Sequence, residues 1–150
     1  MEETIQNIVK LFNRVFEQLG QKPLLDNPNF ILSEELKFDH SLQFTSVDKR
    51  DRIKMMFEIG TDRITFYIDR TNEIPEWPIE DFLKRRGEIE RELIELFSKT
   101  IEVEHKGNRT IIRLLDKNGN VHKQYKYYQG FSINWFKVRT FRKFNPYFEV

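Results

Sequence analysis

Ile53, Met55, Phe57 and Ile59, then Ile64, Phe66 and Ile68, place an apolar side chain at every second position on either side of Gly60-Thr61-Asp62. A period of two on both sides of a glycine-containing turn predicts a β-hairpin with one face to be buried. Such a face needs a cover, and the N-terminal segment supplies one. Ile5, Ile8, Val9, Phe12, Val15, Phe16 and Leu19 recur at three- and four-residue steps, which predicts an amphipathic helix from about Glu3 to Leu19. Glu2 and Glu3 complement its positive end, and Gly20 followed by Pro23 stops it.

The rest of the chain repeats the scheme. Phe30, Leu32, Leu36 and Phe38 predict a bulged strand, Leu42 and Phe44 a short one, and Asp48 to Arg52 a charged turn. Thr71 to Pro78 reads as a linker carrying an isolated Trp77. Pro78 suits the first turn of a second helix, whose buried face (Ile79, Phe82, Leu83, Ile89, Leu93, Leu96, Phe97) runs to about Ser98. Gly87 predicts a kink or a close approach within it. Strands then follow at Ile101–His105, Arg109–Leu115, Val121–Tyr128 and Phe131 to about Phe141. Asn118-Gly119 predicts a type I′ hairpin and Gln129-Gly130 a second two-residue turn. A bulge near Trp135-Phe136 would face Phe131, Ile133, Trp135, Phe136 and Val138 inward and turn Lys137 and Arg139 out. The expected fold is a single α+β domain over residues 1–150: two amphipathic helices on mainly antiparallel β-meanders, in the order helix, strands, helix, strands.

Charge is unevenly spread. The formal net charge is +1, yet residues 1–116 carry 18 basic and 23 acidic side chains and residues 117–150 carry seven and one. Between Asp116 and Phe148 the seven cations are interleaved with ten aromatic residues. Such segregation suits an oppositely charged partner. The chain has no cysteine, hence no disulfide, thiolate nucleophile or zinc knuckle. Its first residues, acidic and leading into an amphipathic helix, do not read as a signal peptide, and no apolar run approaches a membrane span, so a cytoplasmic protein without membrane contact is expected.

Patterns that carry chemistry are sparse. The serines lie outside any Gly-x-Ser-x-Gly elbow, and His40, His105 and His122 have no second ligand at helical or strand spacing. Asp116, Asn118 and Asn120 match the start of a calcium loop, but Val121 and Tyr127 stand where its glycine and final carboxylate belong, so a turn is expected. No glycine-rich phosphate loop precedes either helix. Glu88, Glu92 and Glu95 on the second helix, with Glu102 and Glu104 on the next strand, are the paired carboxylates a metal-dependent nuclease would use. The element order loosely resembles the restriction-endonuclease-like nucleases, and Glu35-Leu36-Lys37 and Glu104-His105-Lys106 share the local spelling of their motif. Neither tripeptide follows a strand ending in Pro-Asp, and pairing of the helix glutamates with Lys84, Arg85 and Arg91 accounts for them as a solvated face.

The expected function is therefore non-enzymatic binding of an anionic protein, as a small inhibitor of the immunity, antitoxin or phage anti-defence type that occludes its partner, without a cofactor. Lys123, Lys126, Lys137, Arg139, Arg142 and Lys143 would steer and pair, and exposed rings such as Tyr128 or Trp77 would anchor. A nucleic-acid-binding accessory domain using the same residues is the first alternative, with cations for phosphates and rings for stacking. A metal-dependent nuclease built from Glu88, Glu92, Glu102 and Glu104 is the second.

Overall fold

The computed structural model describes residues 3–33, 41–69, 71, 73–130 and 137–149. The predicted hairpin is the middle of a five-stranded antiparallel meander. Its strands, in chain order, are β1 (Phe30–Ser33), β2 (Leu42–Ser46), β3 (Met55–Ile59), β4 (Arg63–Ile68) and β5 (Glu76–Pro78). Phe57 faces Phe44 and Phe66 across the ladder, their rings stacking at 5.2 and 5.1 Å. Helix α1 (Glu3–Gln18) covers that face as expected, with Phe12 stacked on Phe57 at 5.1 Å. Gly20, at φ 69°, ends the helix in a Schellman turn. Gln21 N–H reaches the Phe16 carbonyl at 2.8 Å and Gly20 N–H reaches that of Glu17 at 3.0 Å.

A second sheet holds β6 (Thr100–Lys106), β7 (Arg109–Leu115), β8 (Val121–Tyr128) and β9 (Arg139–Phe144) in the order β8-β7-β6-β9, all antiparallel. Its inner face (Ile101, Val103, Ile112, Leu114) joins the first sheet and the helices in one core. Phe97 is its hub, in ring contact with Phe16, Phe30, Phe57, Phe66, Tyr147 and Phe148. The molecule is an α+β domain in the order helix, strands, helix, strands. Among the described residues no helix is long and apolar enough to cross a membrane.

Several expectations are corrected. The second helix is two, α2 (Ile79–Lys84) and α3 (Arg86–Ser98), broken at Arg85 and not at Gly87. Arg85 sits at the join with its guanidinium shared between Asp81, Glu88 and Glu92. A Cβ on Gly87 would meet nothing within 4 Å, so no close approach requires that glycine. Pro78 ends β5 and caps α2 from outside its first turn. Leu32 is 39% exposed, because only the Phe30 end of β1 lies against the rings of Phe16 and Tyr147. The Asn118-Gly119 connection is longer than a type I′ hairpin. Only Gly119 has positive φ, its N–H bonds the Asp116 carbonyl, and Asp116 Oδ1 accepts from the amides of Asn118 and Asn120.

The largest difference is in the last strand, which spans Arg139–Phe144 and pairs with β6 instead of β8. Among the described residues β8 and β9 do not pair, and the segment that would follow the Gln129-Gly130 turn lies outside them. The C-terminal rings explain the placement: Tyr147 and Phe148 enter the core beside Phe97, and Phe148 N–H bonds the Phe97 carbonyl at 2.8 Å. Leu36, Phe38, His40, the Glu35-Leu36-Lys37 tripeptide, the Leu83 side chain and the Phe131–Phe136 bulge lie outside the described residues.

Candidate interaction surface

Alternation sorts the second sheet into two faces. Because Ile101, Val103, Ile112 and Leu114 point to the core, their neighbours along each strand point away. The register aligns that outer face in three rows from β8 to β9: Tyr128, Arg109, Lys106, Arg139; then Lys126, Ile111, Glu104, Phe141; then Gln124, Arg113, Glu102, Lys143. Six cations thus share the face with two carboxylates. Tyr128 (58% exposed) and Phe141 (55%) stand on its opposite edges in adjacent rows, with about 14 Å between the edge strands at the usual spacing, and Val138 (82%) lies just before β9.

Glu104 is the centre of the face. Its side chain is 3% exposed, yet it carries charge because three arginines converge on it. Arg113 approaches Oε2 at 2.6 Å, while Arg109 and Arg139 each approach Oε1 at 3.4 Å. Burial alone would raise its pKa, but the Arg113 hydrogen bond and the charges of Arg113, Arg109 and Arg139 outweigh it and hold the carboxyl below its usual range. Arg113 also reaches Glu102 at 3.2 Å. This network ties β9, β6 and β7 together from outside the core, and it holds three of the face's cations in place.

The predicted binding residues fall into separate groups. Lys126, Tyr128, Arg139 and Lys143 share the outer face, and Lys137 is exposed just before β9. Lys123 lies on the inner side beneath α3, where it pairs with Glu92 at 2.8 Å and sits 5.5 Å from the Tyr125 ring centroid. That pairing sets it on the opposite side of the sheet from Lys126 and Lys143. Arg142 shares the register of the buried Val103 and stacks on Phe144 at 4.8 Å, away from Lys143. Trp77 is not an exposed anchor: it is 5% exposed, in edge contact with Phe66 at 5.8 Å. Sequence reasoning missed Lys106, Arg109 and Arg113, which precede the basic stretch. The parity of Arg109 and Arg113 against Ile112 and Leu114 was the available signal.

The carboxylates of the nuclease reading do not converge. Glu88 and Glu92 belong to α3, on the inner side of the sheet, whereas Glu102 and Glu104 lie on its outer face. Glu92 is paired with Lys123, and Glu95 with His122 at 2.9 Å. Among the described residues no group of three or more histidines and carboxylates is placed to hold a metal ion. No family model, no curated protein and no solved structure matches this chain.

Proposed function

We propose that the chain is a non-enzymatic binding protein whose outer β6–β9 face docks on an acidic surface of another protein and occludes it. The observation that carries this reading is the mosaic on that face, where Lys106, Arg109, Arg113, Lys126, Arg139 and Lys143 surround Glu102 and Glu104 between exposed Tyr128 and Phe141. Cations at a rim accelerate encounter with an acidic partner, and rings supply the anchors that hold it. Carboxylates within the face favour a protein, whose surface offers both signs, over a polyphosphate backbone, which Glu102 would repel. The cytoplasm is the proposed compartment, in keeping with a core held without disulfides.

A pull-down from the native lysate, with and without nuclease, tests the reading against a Lys126→Glu/Lys143→Glu variant. Both residues are exposed, so the variant should keep the wild-type unfolding midpoint. One stoichiometric acidic protein, retained through nuclease and lost in the variant, is expected. Recovery of nucleic acid alone, or a partner indifferent to the charge reversal, would overturn the proposal.

A further inference from the structure

A second basic feature lies where the two sheets meet, on the other side of β9 from Lys143. The charged turn between β2 and β3, the end of β4 and the edge of β9 enclose a cavity of about 270 Å³. Lys49, Arg50, Arg52, Lys54 and Arg142 line it against Asp48 and Asp69, with Phe144 as an apolar wall. Five cations against two carboxylates leave an excess of three positive charges. Both carboxylates are already engaged. Lys54 lies 3.5 Å from Asp48, and His105 Nε2 lies 2.9 Å from Asp69 Oδ2. Arg50 has no ion pair or hydrogen bond among the described residues, and Arg142 meets only the Phe144 ring at 4.8 Å.

The turn is held in shape, so its charges are placed before any ligand arrives. Asn145 N–H bonds the Asp51 carbonyl at 2.9 Å, and Asn145 Nδ2 bonds the Asp51 carboxylate at 2.9 Å. Arg52 donates to the Tyr147 carbonyl and Lys49 to Asn29 Oδ1. Arg52 lines the cavity, and its Nε is buried with no hydrogen-bond partner. Unused guanidiniums beside a lysine favour a multiply charged oxyanion, since the planar fork of arginine matches phosphate oxygens in pairs. The volume lies just under the roughly 300 Å³ at which ligand pockets usually begin, room for a phosphate group and little more.

We infer that this inter-sheet cavity binds the phosphate group of a small phosphorylated molecule, a phosphomonoester or a diphosphate, through Arg50, Lys54 and Arg142. The inference is independent of the docking face, because Arg142 and Lys143 occupy opposite registers on β9.

Calorimetric titration of the whole chain with inorganic phosphate and inorganic pyrophosphate, at ionic strength held constant with sodium chloride, tests it. Saturable binding is expected, tighter for pyrophosphate. Arg50→Gln/Arg142→Gln should weaken it at least about tenfold, the loss of a charge-assisted hydrogen bond. Lys126→Gln/Lys143→Gln should leave it unchanged. If the double variant unfolds, Arg50→Gln alone reads the same site, since Arg50 supports no contact of the fold. Absence of saturation at millimolar pyrophosphate, or equal loss in the Lys126/Lys143 variant, would overturn the inference.

Discussion

In the β1–β5 sheet strand order follows chain order and the buried face is lined with rings, whereas the β6–β9 sheet takes its last strand out of order and buries charge on its outer face. The first sheet owes its cohesion to ring contacts: Phe57, fully buried, touches Phe12, Phe30, Phe44, Phe66 and Phe97. The second has an apolar inner face as well, but β9 contributes only Phe144 to it, the rest of the strand being exposed. Beyond the ladder with β6, β9 is held by the burial of Phe144 and of the Tyr147 and Phe148 rings that follow it, and on its outer face by the Glu104 network. The difference teaches that a basic sequence stretch need not be one basic surface. Lys123 serves the α3 contact, Arg139 serves Glu104, Arg142 the inter-sheet cavity, and Lys126 and Lys143 remain on the open face.

Phe57→Ala should break the first sheet hardest, costing about 4 kcal/mol, because a large buried ring is replaced by a cavity that its neighbours only partly fill. Phe141→Ala on the outer face of the second should shift stability by no more than about 0.5 kcal/mol. Urea unfolding of the two variants checks the contrast, and a comparable cost for Phe141 would mean that the outer face is core.

Glu104→Gln should come next, at about 3 kcal/mol near neutral pH, since three arginines lose the one carboxylate on which they converge. The sign of its pH dependence follows from the lowered pKa. The stabilisation is full above the ordinary value of 4.5 and is lost as pH falls through the lower folded value. Wild type should therefore lose stability towards acid more steeply than Glu104→Gln; parallel acid limbs would show that the network contributes no linkage.

The smallest effect sharpens the comparison at the α3 contact. The Tyr125 hydroxyl is buried without a hydrogen-bond partner, so Tyr125→Phe should leave stability unchanged or raise it by up to about 1 kcal/mol. Burial pushes the Tyr125 phenol up, with the charges of Glu92 and Glu95 adding to it, and burial pushes Tyr147 up to about 12. For both, stability is full below the ordinary 10.0 and is lost as pH rises towards the folded values. The variant should keep more of its stability on the alkaline limb. A marked loss at neutral pH would instead reveal a partner for the hydroxyl.

Much of the fold was legible because periodicity reports the face of a side chain. The stripe from Ile5 to Leu19 and the alternation around Gly60 required only neighbours in sequence, and both elements formed within a residue or two of expectation. Trp77 was misplaced because three residues of edge strand are too short to show a period. The arginine trio around Glu104 was missed for a different reason: Arg109 and Arg113 come from β7 and Arg139 from β9, on either side of Glu104 on β6, and their meeting depends on β9 lying beside β6.

What the sequence determined by itself, then, is the kind of element and the buried side of the long periodic stretches, α1 and the strands around Gly60 above all, since both depend on local geometry. Strand order, the inter-sheet cavity and the partner of each charge were decided only in the tertiary structure. β9 lies beside β6, where Phe144 is buried and Tyr147 and Phe148 pack on Phe97. That placement brings Arg139 to Glu104 and Arg142 to the cavity. Apolar area taken from water favours that placement, and the charges settle where that burial leaves them.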